Sequence, residues 1–148
     1  MIAPPSPPSQ GSAADLDMLQ AALDQLFAPW VRQLNLQVKE AQAGEVSLWM
    51  PVSPLLAREG GTLCGQSLMA AADTAMVLAV MTRLGGFKPM TTVQLQTSFL
   101  RAVPGDSAGA RIVARVLKLG RSLAFGEISI FSADGQLCAQ STTTYALL

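Results

Sequence analysis

Apolar residues recur along this chain with two different periods. From 13 to about 33, Leu16, Leu19, Leu23, Leu26, Phe27 and Trp30 return at near-helical spacing. Asp15 and Asp17 stand near the start, where a helix dipole favours negative charge. That predicts an amphipathic N-terminal helix. The period then drops to two. Segments 35–40 and 45–52 alternate, with Val46, Leu48 and Met50 on one face, and Ala43-Gly44 between them reads as a hairpin turn. After a loop over 54–63, an apolar run from Gly65 to about Leu84 ends at Gly85-Gly86 and predicts a second, longer helix. Four alternating stretches follow, at 91–100, 110–119, 122–131 and 136–147. In the first of them Val93, Leu95, Thr97 and Phe99 share one face and Thr92, Gln94, Gln96 and Ser98 the other. Asp134-Gly135 predicts a two-residue hairpin turn, and Gly120 sits where the preceding pair must also reverse.

Such short connections imply an antiparallel sheet of five or six strands, with one long apolar helix inserted after the second strand. The predicted class is α+β, the sheet wrapped on the central helix. With 148 residues, half of them hydrophobic, and a mean hydropathy of +0.36, residues 13–148 suffice for one compact domain. Residues 1–12 carry Pro4, Pro5, Pro7 and Pro8 among serines and read as a disordered tail, without the basic-then-apolar order of a secretory signal. The 65–84 run is nearly long enough to span a bilayer, but Asp73 at its centre and Arg83 near its end favour a buried helix over a membrane span.

Charge and composition narrow the chemistry. Ten basic residues balance ten acidic ones, with neither sign gathered into a run and few aromatic residues, so nucleic acid and anionic membrane are not expected partners. Cys64 and Cys138 are too few for a disulfide framework, which makes a reducing cytoplasm the expected compartment. The chain has no histidine. A Ser-His-Asp or Cys-His nucleophile, an imidazole base and a histidine-ligated metal are therefore excluded. Catalysis would rest on carboxylate, amide, hydroxyl, thiol or backbone groups.

Asp73 is the only acidic residue between Glu59 and Asp106, and it stands inside the apolar run. A carboxylate there must be satisfied, neutralised or used. On a helical wheel Gln66 and Asp73 differ by only about 20°, and Ser67 and Thr74 fall in the same third of the circumference. Ala70 and Val77 complete a stripe of small and polar groups over which a narrow pocket fits.

The string Gly61-Thr-Leu-Cys-Gly65-Gln-Ser-Leu-Met-Ala-Ala-Ala-Asp73-Thr-Ala, followed by Thr92-Val-Gln-Leu-Gln-Thr-Ser-Phe-Leu-Arg101, resembles the PaaI-like branch of the hotdog-fold acyl-CoA thioesterases. Lys118-Leu-Gly-Arg121, Asp134-Gly135 and 139–145 also fit, so that the resemblance spans roughly 34–148. It implies a hotdog fold and hydrolysis of an acyl-CoA to a carboxylic acid and free coenzyme A, which is part of the substrate, with no separate cofactor. It implies that the Asp73 position carries the catalytic carboxylate, acting as general base or nucleophile, and that the Gly65 position supplies a backbone N–H to the thioester carbonyl. The Thr92 position would hold a hydroxyl that orients water. Sites lie between paired subunits, which implies a homodimer or a dimer-of-dimers tetramer.

Two positions depart from the family pattern. Cys64-Gly65-Gln66 stands where His-Gly-Gly is usual, and Arg58 where an amide residue is usual, about fifteen positions before the acid. Gln66 would restore an amide from the next position. Arg121, after Gly120, is a candidate for the coenzyme A phosphates, or else a solvated turn arginine. Cys64 reads more simply as a small buried residue than as a nucleophile, because nothing in the chain can serve as its histidine. Gln66 and Thr92 would equally well satisfy backbone groups at element ends, and Asp73 itself could brace a neighbouring loop. A non-catalytic acyl-CoA binding module, a dehydratase and a purely structural dimerisation domain are the alternatives to hydrolysis. The missing histidine counts against the dehydratase.

Overall fold

A computed structural model describes residues 13–148; the tail expected over 1–12 lies outside the described residues. Helix α1 runs Ala13–Gln25, and a separate short helix α2 runs Pro29–Arg32. The single helix expected to about Gln33 is thus broken, and Pro29 is the cause. Proline lacks an N–H and pushes the residue before it into extended geometry, and Ala28 has ψ 147°. Arg32 closes the break by donating from Nε to the Phe27 carbonyl at 2.7 Å and from Nη2 to the Gln25 carbonyl at 2.8 Å. Leu19 and Leu23 are buried as the periodicity requires, whereas Leu26 and Trp30, at and beyond the break, are exposed.

The strands are β1 Gln37–Gln42, β2 Glu45–Pro51, β3 Ala57–Arg58, β4 Thr62–Leu63, β5 Met90–Phe99, β6 Gly109–Leu119, β7 Leu123–Ser132 and β8 Leu137–Leu147. Six of them form one antiparallel sheet in the order β1-β2-β6-β7-β8-β5. Helix α3, Gly65–Leu84, lies across its inner face and ends at Gly85, whose φ of 81° and N–H bond to the Met81 carbonyl make a left-handed cap. This is the hotdog arrangement, with α1 packed beside β1. Ala43-Gly44 forms the tight β1–β2 turn, and the Thr82 hydroxyl, accepting from the Gly44 N–H at 2.8 Å, ties it to α3. Although long and apolar enough for a membrane span, α3 has most of its surface covered by the sheet. Val46, Leu48, Met50, Ile112, Ala114, Ile128 and Ile130 pack against its Met76, Leu78 and Val80. Gly126 of β7 leaves room for the Met76 thioether, which would collide with any Cβ there.

Three connections differ from expectation. The 54–63 loop contains the β3–β4 hairpin, turning through Gly60 and Gly61 at φ 95° and 77°. It is tied to the 103–105 segment by the Leu63 N–H to the Val103 carbonyl at 3.0 Å and the Gly105 N–H to the Gly61 carbonyl at 2.7 Å, and so fixes the approach to α3. Asp134-Gly135 does reverse the chain, but within the longer 133–136 link, which the Gly135 N–H closes on the Ser132 carbonyl at 2.9 Å while the Ser132 hydroxyl bonds Asp134. The third difference is a bulge in β5. Thr92 pairs with Tyr145, but the next pair is Gln94 with Thr144, leaving Val93 as an extra residue. Below the bulge the alternation inverts. Thr92 therefore joins the face of Leu95, Thr97 and Phe99 instead of the opposite one.

Candidate active site

Helix α3 begins two turns before Asp73, and the sheet supplies the partners of its carboxylate. Thr92 Oγ1 donates to Asp73 Oδ1 at 2.8 Å. Tyr145 Oη donates to the same Oδ1 and, at 2.8 Å, to the Asp73 backbone carbonyl. Thr92 and Tyr145 are direct neighbours across β5 and β8, which brings both hydroxyls to one point. The carboxylate is half-buried, and among the described residues no cation pairs with it. Nor does it brace a loop: its partners are two strand residues.

Tyr145 was not singled out by sequence reasoning. It is the chain's one tyrosine, it is only 3% exposed, and it ends a run of three threonines on a strand whose inward face was legible. A buried phenol on such a strand needs an acceptor, and the nearest acid along any helix was Asp73. Burial first, then the Asp73 charge and the hydrogen bond to it, push the phenol's pKa well above its ordinary value. Tyr145 thus stays protonated and acts as a donor.

The other predicted residues separate into two groups. Gly65 is the first residue of α3, where an amide has no acceptor within the helix, and Cys64 before it has no side-chain cap bond. The Phe99 ring lies where a Gly65 Cβ would be, 3.3 Å from that position, so glycine permits the close approach of the strand end to the helix start. Cys64 is half-buried and its carbonyl accepts from the Ser67 hydroxyl at 2.7 Å. Gln66 is exposed at the open end of the stripe, and Ser67 and Thr74 are buried. Arg58 lies on the β3–β4 hairpin, its Nη1 donating to the Glu59 carbonyl at 2.8 Å, away from Asp73. Arg121 is exposed on the β6–β7 turn, at the sheet end where Ala124 pairs with Tyr145.

On this stripe Gln66 is exposed and Asp73 half-buried, and β5 beside it is a sheet edge. An open groove of about 580 Å³ lies instead on the outer face of the sheet, lined by Glu45, Arg111, Arg115, Glu127 and Phe131. Its two arginines are both engaged within it, and Glu40 also lines it. Arg115 stands between Glu45 at 3.2 Å and Glu127 at 3.7 Å, and Arg111 lies 5.0 Å over the Phe131 ring. The groove faces away from α3 and shares no residue with the Asp73 cluster.

Comparison with known proteins places the fold and the family. The Thioesterase superfamily profile matches residues 60–139, which is more than half of the chain and takes in Gly65, Asp73 and Thr92. A candidate thioesterase of Silicibacter sp. TM1040 is 32% identical, the match covering 90% of this chain and 92% of that one with a TM-score of 0.80. A candidate esterase of Thermoplasma acidophilum is 27% identical over 83% of this chain and 92% of its own. A hypothetical thioesterase protein of Streptococcus pneumoniae, whose structure contains coenzyme A, shares the fold at 19% identity and a TM-score of 0.71, over 77% of this chain and 86% of that one. By the profile match and the Silicibacter relative together, the chain belongs to the thioesterase superfamily.

Proposed function

We propose that this thioesterase hydrolyses an acyl-CoA ester, with Asp73 as the general base or nucleophile. The observation that carries the reading is the Asp73 carboxylate itself: half-buried on the central helix, uncompensated by any described cation, and held by two neutral hydroxyls on one oxygen only. A carboxylate so held keeps its charge available for a water or a thioester carbon. Thr92, which donates its hydrogen bond to Asp73, retains lone pairs for that water. The free amide at Gly65, backed by the α3 dipole, suits a developing oxyanion. Coenzyme A in the related Streptococcus pneumoniae protein supports the choice of thiol, and the resemblance to the PaaI-like branch points the same way.

The two halves of this site do not meet within one chain. Gly65 opens α3 and Asp73 is its ninth residue, about 12 Å further along the axis, and the Gly65 N–H points out of the helix start. A donor at about 2.9 Å from the oxyanion and a carboxylate at about 3.5 Å from the carbon need to be several ångströms closer. A second subunit resolves the gap. Strand β5 is a sheet edge exposed on nearly all its length, with Val93 59% and Phe99 51% exposed. Gly65 packs against Phe99 at one end of β5, and Asp73 bonds Thr92 at the other. Antiparallel pairing of β5 with a second β5 brings one chain's Gly65 toward the other's Asp73. The functional unit in this reading is a two-fold dimer with two composite sites.

A panel of aliphatic and aromatic acyl-CoA esters, read by free-thiol release, tests the reaction. The wild type should release thiol from at least one ester and Asp73→Asn should be slower by about 10²- to 10⁴-fold, the usual worth of a positioned base. Asp73→Asn turnover equal to wild type across the panel sinks the mechanism.

A further inference from the structure

The hydroxyl of Tyr145 has no part in the reaction as described so far, yet it makes two contacts with one residue. It reaches both the backbone carbonyl and Oδ1 of Asp73. A single donor bridging the main chain and the side chain of the same residue fixes that side chain's rotamer relative to the helix. Thr92 donates to the same oxygen from the adjoining strand. Oδ1 thus accepts from two hydroxyls, whereas Oδ2 accepts from none of the described residues. The ring is buried between β7, α3 and β5, paired to Ala124 on one side and Thr92 on the other, so the hydroxyl has little freedom to leave.

We propose that Tyr145 is the positioning residue of the site: its hydroxyl, with that of Thr92, locks Asp73 Oδ1 and presents Oδ2 alone as the oxygen that meets water or substrate. The inference rests on the reading of Asp73 as the reacting carboxylate. It does not make Tyr145 an acid or a base. Burial and the Asp73 charge keep its proton in place, so it works through Asp73, by the oxygen it locks, and not on water or substrate. Locking the carboxylate matters because an ångström of misplacement is costly to a reaction run by proximity. Removing the hydroxyl should therefore slow the chemical step and leave substrate affinity nearly alone.

Tyr145→Phe keeps the ring and removes the donor. With a hydrogen bond to a charged group at stake, kcat should fall about tenfold to a hundredfold with KM changed by less than about twofold. A second readout needs neither turnover nor the Tyr145→Phe variant. Because the chain has one tyrosine, the tyrosine Fermi doublet in the Raman spectrum belongs to Tyr145 alone. In the wild type it should carry the signature of a strong donor, and in Asp73→Asn that signature should weaken. Tyr145→Phe at full kcat, or a doublet indifferent to Asp73→Asn, overturns the proposal. The two levels separate cleanly: an Asp73→Asn variant as fast as wild type refutes the reaction assigned to Asp73, while a slow Asp73→Asn beside a full-speed Tyr145→Phe refutes only the role of Tyr145.

Discussion

A carboxylate inside an apolar helix has to be compensated, and here the compensation is neutral: Asp73 is met by the hydroxyls of Thr92 and Tyr145, without a cation among the described residues. Neutral donors stabilise the charge without quenching it, which is the difference between a structural ion pair and a usable base. The same contact ties Tyr145 to the stability of the fold. Its pKa is raised, so the folded chain holds the phenolic proton at a pH where the unfolded chain, with tyrosine near its ordinary value of about 10, has released it. Below that pH both states are protonated and the contribution is fully present. Above it the unfolded state binds fewer protons, and stability falls by about 1.4 kcal/mol per pH unit until the folded phenol ionises. Denaturant unfolding measured from pH 8 upward should therefore decline more steeply for the wild type than for Tyr145→Phe, beginning near pH 10. Parallel curves would mean that the phenol is not held as described.

Among the elements, the bulge in β5 decides whether Thr92 belongs to the site. Strict alternation assigns Thr92 to the face of Gln94 and away from Leu95; the extra residue, Val93, returns it to the inner face, opposite Tyr145 and against Asp73. Deleting Val93 removes the extra residue and sets Thr92 next to Gln94, so that plain alternation keeps its hydroxyl inward and opposite Tyr145; kcat should stay close to wild type and well above that of Thr92→Val, with circular dichroism and melting little changed because the pairing from Gln94 to Phe99 is kept. A fall to the level of Thr92→Val would show that pairing opposite Tyr145 does not by itself seat the Thr92 hydroxyl on Asp73. This bulge also marks where the sequence ceases to be legible. The bounds of α3 followed from an apolar run closed by Gly85, and the long strands from their alternation, each a local signal. The break at Pro29 was local too, but the apolar spacing on either side of it concealed the stop. The bulge, the β3–β4 hairpin and the seat of Tyr145 arise from pairings between distant segments, such as β5 with β8, which periodicity along one strand does not encode. Asp73 and Thr92 were visible as residue types in the right places; their third partner was visible only once β8 lay between β7 and β5.

At the scale of the whole molecule, the separation of Gly65 from Asp73 along α3 makes assembly a condition of chemistry in the proposed reading. If the Gly65 amide of one chain serves the Asp73 of another, two inactive variants should repair each other. Gly65→Pro removes the N–H at a first helical position, where proline's backbone geometry is accepted, and the exposed Phe99 ring against it has room to move. Asp73→Asn removes the base. Each homodimer lacks the same half of both its sites. In a mixed dimer one site combines the two defects, but the other joins an intact Gly65 from the Asp73→Asn chain to an intact Asp73 from the Gly65→Pro chain. Random reassortment makes about half of the dimers mixed, each with one of two sites restored, so thiol release should recover to about a quarter of the wild-type value after the variants are unfolded and refolded together. Light scattering should give at least a dimer mass for each variant. A site contained within one chain would leave the mixture as inactive as its parents, since no exchange of subunits could then supply Asp73 with a Gly65 amide that its own chain lacks.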